Sequence, residues 1–469
     1  MFYVLLIISL SACINSKKQK LEAEQQKTET EAINTVIESE VVLDTVIPTP
    51  GIKYKENKRS DSRYPLVNID LTAQYENKEL DLANYYSSAK YIKIKHPFAD
   101  KGHQFMSDAE YSISYNKMGM YGTGFNSSVI ISKDKIIAGD QYVGYYCFDD
   151  KGNYLYPLII PDDFPDYDKN TNMMSLTIDP ASRRISGYSS LGANHLFSFV
   201  KDDKSYFLFH NTDTRKNFLT MPFGGGVSSL IDDKSFVLYR YNPLTDQQMA
   251  YMYSFTFSGD TLCSFMNYNP IIEDVKRRAY TNPERVQRYY LNNTLTIRQA
   301  YNDTIYRMTS ASRLIPVFCL DMKNKKPDMN TVLYGDKAGK LFVKRLLETN
   351  DFLYIIFTEN YDCPNNRNNK TVNFSYVYYD KKERRTYQIK SNSFPEDQIM
   401  KNSMEDALPV SIKNISIGDN ILYSSFTKSR LEGLINSSAF KDFSDEQQNK
   451  IKSLHENTED DEMLIMILE

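Results

Sequence analysis

The residues able to do chemistry are few and scattered. Five histidines occur: His96, His103, His195, His210 and His455. Imidazole is the side chain best suited to proton transfer near neutral pH, but it needs an oriented partner. No G-x-S-x-G nucleophile elbow is present, so structural or surface roles are expected for all five. Asp162, Asp163, Asp166 and Asp168 crowd one loop. Carboxylates at that density suit Ca²⁺, but the spacing is not that of an EF-hand and Pro161 and Pro165 stiffen the loop, so a solvated turn is expected. Gly224-Gly225-Gly226 leads into a strand and lacks the Lys-Ser/Thr pair of a phosphate loop, which reads as a conformational turn. Lys381-Lys382-Glu383-Arg384-Arg385 reads as a solvated hairpin tip. The stretch from Tyr115 to Phe125 (YNKMGMYGTGF) combines small, aromatic and Met residues. Within it Tyr115, Tyr121 and Phe125 are the candidate ligand contacts. No catalytic residue, metal ligand set or cofactor motif emerges.

The most specific chemistry lies at the N-terminus. Met1 to Ala12 reads MFYVLLIISLSA. Its apolar run is too short for a helix across a bilayer core of about 30 Å, which needs about 20 residues. A short apolar run ending in small residues is instead a secretory signal. Leu10-Ser11-Ala12-Cys13 has the form of a lipobox. Ser11 and Ala12 are small enough for a signal peptidase pocket, and the Cys13 thiol would carry lipid before cleavage. Several acyl chains then anchor stably where one would not. Residues 1–12 are therefore read as the signal, 13–60 as the lipidated cysteine and a polar tether, and 61–469 as the folded domain. The tether is rich in Glu, Lys, Gln and Thr and ends in Pro48-Thr49-Pro50-Gly51. Lys17, Lys18 and Lys20 follow the cysteine, which favours the periplasmic face of the outer membrane over the cell surface.

Four further cysteines remain, Cys147, Cys263, Cys319 and Cys363. Export would permit disulfides among them, with three possible connectivities. The first three sit in apolar runs and read as small buried hydrophobes, whereas Cys363 lies in a polar loop.

Composition bounds the partners. The 469 residues include 56 Lys+Arg against 60 Asp+Glu, a formal charge of -4, which offers no bulk attraction for nucleic acid. Charged residues at 25% and hydrophobic residues at 41% are globular values, and only one apolar run could meet a membrane. There are 36 Tyr and no Trp. Most Tyr fall in strand-like runs, where a ring can lie on the sheet with its hydroxyl in water.

The elements that must position any site are strands. From Val129 onward, short apolar runs alternate with Asp/Gly/Asn/Lys turns. Groups of about four begin near residues 129, 174, 227, 294, 340 and 410. Four-stranded units at about 40–50 residues, with insertions, are the signature of a β-propeller. One meander cannot bury both faces, and radial stacking buries each sheet against the next. A helix broken at Pro283 is expected over 272–291. A second is expected from Asp445 to about His455, with Ser444 as N-cap. Met463 to Leu468 is a continuous apolar run and reads as a buried strand. A chain ending in such a strand suggests ring closure with an N-terminal one, either Leu66 to Leu71 or Ala89 to Ile94. The expected fold is all-β: a six-bladed propeller of four-stranded antiparallel blades, closed by N- and C-terminal strands, with a short C-terminal helix.

Several segments in order resemble the six-bladed β-propeller lipoproteins of Bacteroides and its relatives. They are the lipobox, VNIDLTAQYENKELDLANYYSSAKYIKI at 67–94, CFDDKGNYL at 147–155, NDTIYRM at 302–308 with PVFCLDM at 316–322, and the terminal helix and strand. The likeness spans roughly residues 60–469. Where many such proteins carry a glycine-proline-rich loop after the fourth strand, this chain has PDDFPDYDKN. The resemblance implies fold and location and carries no activity. The expected function is a non-catalytic binding or scaffold module, tethered to the membrane through its lipid anchor, for a protein or glycan. The rival is a hydrolase or lyase with acid and base residues converging on the central channel.

Overall fold

The computed structural model describes residues 62–97, 99, 128–132, 134–140, 144–159, 185–201, 204–214, 216–223, 226–240, 252–265, 286–327, 339–359, 373–389, 399–411, 415–418 and 421–469. Cys13, the signal and tether, the 115–125 loop, His103, Cys363 and the 162–168 acidic loop lie outside the described residues.

Six four-stranded antiparallel sheets form a ring. Blade 1 comprises Ser128–Ser132, Lys135–Asp140, Gly144–Asp149 and Tyr154–Ile159. Blade 2 comprises Ile185–Leu191, Asn194–Lys201, Lys204–Asn211 and Lys216–Phe223. Blade 3 comprises Gly226–Leu230, Ser235–Arg240, Met252–Thr256 and Thr261–Phe265. Blade 4 comprises Gln287–Leu291, Thr294–Arg298, Thr304–Ser310 and Arg313–Asp321. Blade 5 comprises Leu341–Glu348, Phe352–Glu359, Asn373–Asp380 and Arg385–Ile389. Blade 6 comprises Ile415–Gly418, Ile421–Thr427, Glu462–Leu468 and, as its outermost strand, Ala89–Lys95.

Strand periodicity distributes each apolar run between two neighbouring blades. Phe352–Glu359 is buried on both faces. Phe352, Tyr354 and Ile356 pack toward blade 6, while Leu353, Ile355 and Phe357 pack toward blade 4. The C-terminal strand behaves alike. Met463, Ile465 and Ile467 pack toward blade 1, and Leu464, Met466 and Leu468 toward blade 5. A run without polar alternation is thus what a strand between two apolar layers requires.

The two candidates for ring closure take different roles. Ala89–Lys95 pairs with Glu462–Leu468, Ile92 opposite Ile465, and closes the ring. Val67–Asp70 instead lies parallel to Phe318–Asp321 as a fifth strand outside blade 4. Between them the chain straps blade 5, where Lys78 N donates to Gln388 O and Gln388 N to Glu76 O. Leu80 and Leu82 are buried beneath this strap.

The structure corrects three further expectations. Residues 287–291 form the first strand of blade 4 rather than the end of a helix. The sequence QRYYL has one residue for each of two faces in turn, and both faces are filled by neighbouring blades. Lys216–Phe223 is the fourth strand of blade 2, whereas residues 174–178 lie outside the described residues. Two helices, not one, interrupt blade 6. Helix α1 (Lys428–Ile435) is capped by Thr427, and α2 (Asp445–Glu456) by Ser444, whose Oγ accepts from Gln447 N at 3.2 Å. Leu431 and Ile451 bury their inner faces. The tyrosines also go deeper than a half-buried strand predicts. Tyr146, Tyr239, Tyr354, Tyr376 and Tyr378 are fully buried between blades.

Candidate functional site

The first strand of each blade is innermost. The first strands of blades 2 and 3, 4 and 5, 5 and 6, and 6 and 1 approach one another, and that of blade 4 also comes within 8 Å (Cα to Cα) of that of blade 6, two blades away. Such an approach occurs across the ring axis. An innermost strand has one ladder neighbour, so half its backbone groups have no ladder partner. Side chains from neighbouring blades supply the missing donors. Tyr423 Oη of blade 6 donates to Val129 O of blade 1 at 2.7 Å. Tyr290 Oη of blade 4 donates to Leu230 O of blade 3 at 2.7 Å and lies 2.6 Å from Ser189 Oγ of blade 2, which accepts from Leu230 N at 3.0 Å. Gln287 Nε2 donates to Val343 O of blade 5 at 3.2 Å, and Arg345 Nη2 to Ile415 O of blade 6 at 2.7 Å.

Among the described residues of the six innermost strands, the charged ones are Arg288, Lys344, Arg345 and Glu348. Arg288 reaches into blade 3, where its Nη1 donates to Ser228 O and, at 3.0 Å, to Ser229 Oγ. Desolvation holds the Arg288 guanidinium below its ordinary value. Arg345 is pushed down to about 10 by the same cause. Lys344 occupies a β-bulge between Val343 and Arg345, a feature that re-aims side chains.

Glu348 is the one acid of this set, and it is already engaged. Its side chain is fully buried between Arg307 (Nη2 to Oε1 2.5 Å), Lys381 (Nζ to Oε1 2.7 Å) and Tyr289 (Oη to Oε2 2.8 Å). Burial alone would raise its pKa, but Arg307 and Lys381 together hold it below the usual carboxylate range. Glu348 in turn keeps Arg307 charged, whereas desolvation lowers Lys381. Tyr289 is raised well above the usual phenol value by burial and by the Glu348 charge. A carboxylate locked in its charged form by two cations is a poor proton donor or acceptor.

The predicted residues fall as follows. None of the described histidines lies on an innermost strand. His195 and His210 face each other across the second and third strands of blade 2, ring centroids 6.4 Å apart. Burial and His210 push His195 down to about 3. His96 packs edge-on against Tyr146 at the seam of blades 6 and 1, and His455 lies in the last turn of α2. Cys147 and Cys263 are buried, their thiols donating to Phe148 O and Ser264 O, and Cys319 is half-buried. The basic tip at 381–385 is a hairpin turn, but it is not simply solvated. Lys381 turns inward to Glu348, while Glu383 and Arg385 pair with Lys78 and Glu76 of the strap. Among the described residues no group of three or more His, Cys, Asp or Glu is arranged to hold a metal ion, and no helix is long and apolar enough to cross a membrane.

The axial set was not anticipated from the sequence. Its signal is a charge inside a strand, as in VKRLLE and QRYYL, and the second falls in the stretch whose pattern predicts a helix.

A family model described as "Domain of unknown function (DUF4933)" matches residues 49–437. None of the curated proteins matches the sequence. Among solved structures, a Bacteroides fragilis protein named as a candidate exported protein is similar over 86% of this chain and 100% of its own, at 12% identity and a TM-score of 0.52. A DUF4221 family member from Bacteroides vulgatus is similar over 82% of this chain and 97% of its own, at 10% identity and a TM-score of 0.42. At 12% identity the likeness to the B. fragilis protein speaks to the fold alone.

Proposed function

We propose that this chain, which belongs to the DUF4933 family, is an exported, lipid-anchored envelope protein that binds a protein or glycan without transforming it. The lipid is carried on Cys13, with the domain on the periplasmic face of the outer membrane. The observation that carries the non-catalytic reading is the engagement of the axis. Among the described residues, the Tyr423 and Tyr290 hydroxyls and the Gln287 amide nitrogen are spent on neighbouring carbonyls, and the one acid of the innermost strands, Glu348, is held charged by Arg307 and Lys381. General acid–base work needs a group whose pKa lies near the working pH and which can reach a substrate. Export is supported by the lipobox at Leu10 to Cys13 and by the name of the B. fragilis structure.

Fractionation of cells expressing the wild type and Cys13→Ala tests the anchor. The wild type is expected in the membrane fraction and the variant in the soluble one. A variant that stays with the membrane contradicts lipidation at Cys13. An array of envelope and host glycans, run beside affinity capture from detergent-solubilised membranes, tests binding. Specific retention of a glycan or a defined protein partner is expected, and retention of neither contradicts the reading.

A further inference from the structure

We propose that residues 62–88 form a clasp that leaves the propeller while the ring stays closed, so that the tethered module has two reaches. This deepens the tethered-module reading and rests on it for its purpose.

The first support is topology. All four strands of every blade lie within residues 89–469, beginning with the closing strand Ala89–Lys95. Val67–Asp70 is a fifth strand on blade 4. The chain after it meets the edge of blade 5 and the 399–411 segment through two isolated bridges, Asn77 with Gln388 and Asp81 with Lys401. Removing 62–88 therefore takes no strand from the six blades. The clasp ends where the ring begins. Ser87 N donates to Glu469 O at 2.7 Å, Glu469 N donates to Ser88 O at 3.0 Å, and Ala89 is already the partner of Leu468. In sequence the clasp lies between Cys13 and the ring. Load arriving along the tether meets Val67–Asp70 first, the strap next and the closing strand last.

The second support is how the clasp is held. Ion pairs join it to the rest of the chain at Glu76–Arg385 (3.2 Å), Lys78–Glu383 (2.7 Å) and Glu79–Lys401 (2.8 Å). These pairs are solvent-exposed, and exposed pairs hold weakly. Tyr85 Oη donates to Asp380 Oδ2 at 2.8 Å. The clasp's buried apolar side chains are Ile69 and Leu71 at the seam of blades 4 and 5, and Leu80 and Leu82 against the core of blades 5 and 6. The closing strand is held differently. All seven of its residues pair with Glu462–Leu468, and Ile92 and Ile94 are buried between blades 6 and 1. A segment with few ladder bonds and exposed ion pairs opens in a sub-global step, ahead of a fully laddered neighbour. Once free, residues 62–88 add about 90 Å of reach to the tether, at about 3.3–3.6 Å per residue.

Hydrogen exchange of the full-length chain, purified in detergent and followed by mass spectrometry across a series of low urea concentrations, tests this. Lys78 N and Leu82 N donate to Gln388 O and Lys401 O, each at 3.0 Å. Their amides should exchange about tenfold or more faster than those of 89–95 and 462–468, and with a smaller urea dependence, because less surface is exposed. Asn77→Cys with Gln388→Cys places thiols on bridge partners, at a separation a disulfide spans. Oxidised, this double variant should slow exchange over residues 75–86 about tenfold or more, and reduction should restore it. Clasp amides that share both the rate and the urea dependence of the closing strand overturn the inference. So does an oxidised clip that leaves their exchange unchanged. Where the double variant does not fold or does not oxidise, the wild-type urea series decides. The measurement does not depend on the lipid. If Cys13→Ala stays with the membrane while the clasp opens alone, the anchor reading fails and the clasp stands. If Cys13→Ala is released while the clasp opens only with the ring, the anchor reading stands and this inference fails.

Discussion

Ring closure can be tested at a single atom. Blade 1 and the closing strand of blade 6 meet where Gly152 lies over Lys93. Gly152 has φ +89°, and a Cβ built on it would stand 2.2 Å from Lys93 O. The turn cannot easily yield, because Asp149 Oδ1 accepts from both Lys151 N and Asn153 N, at 2.9 and 2.8 Å. Gly152→Ala therefore adds two penalties. The left-handed backbone costs an L-residue about 1–2 kcal/mol. Relieving the overlap means moving a backbone carbonyl or the turn, an overpacking penalty of about 1–3 kcal/mol. Gly192 provides the control. It has φ +56° but nothing within 4 Å of its Cβ position, so Gly192→Ala should show the first penalty alone. Urea unfolding followed by far-UV circular dichroism should give a loss of about 2–5 kcal/mol for Gly152→Ala and about 1–2 kcal/mol for Gly192→Ala. Equal losses would refute a close seam between the closing strand and blade 1.

The remaining predictions concern the buried charges and the strap. Glu348→Gln removes the compensation for Arg307 and Lys381 and should cost about 3–5 kcal/mol in the same unfolding assay. Since the folded pKa of Glu348 lies below its ordinary 4.5, its stabilisation is full above that value and is lost as pH falls toward and through the folded value. The variant should accordingly show a flatter stability profile below about pH 4.5 than the wild type. His195 acts in a higher window. Between 6.5 and its folded value of about 3, the unfolded chain takes up a proton that the folded chain refuses. Stability should then fall by up to about 1.4 kcal/mol per pH unit below 6.5, and His195→Phe should remove that portion of the slope. Leu82→Ala empties a fully buried position under the strap and should cost about 2–5 kcal/mol, measured by the same urea titration.

Much of the fold was legible because a propeller repeats one simple constraint. Middle strands such as Phe352–Glu359 and Glu462–Leu468 are apolar on both faces, and turns such as Asp149 to Asn153 carry residues with a local reason to bend. What escaped notice followed from the same geometry. The innermost strand Gln287–Leu291 is only five residues long and lacks the apolar run that marks a strand, so its sequence predicts a helix. Helix α1 is only eight residues long and buries chiefly Leu431, which leaves little periodicity to detect. The closing strand could be narrowed to two segments but not chosen, because both 67–70 and 89–95 alternate in the same manner and differ only in which blade edge they meet. The site was less legible than the fold. Arg288, Lys344, Arg345 and Glu348 lie in two separate segments, and only the ring brings their strands together. Nothing in a linear spacing distinguishes Glu348, met by Arg307 from a strand of blade 4 and by Lys381 from a hairpin turn of blade 5, from an ordinary acid at a strand end.

The central claim is binding without transformation, and ligand-observed NMR tests it most directly. The full-length chain is mixed with a panel of envelope glycans, acidic sugars and phosphorylated metabolites, and saturation transfer is followed over about a day. The account predicts transfer to at least one ligand whose resonances remain unchanged throughout. New product resonances that appear with the wild-type chain and not in its absence would contradict it, as would a panel in which no ligand receives any transfer.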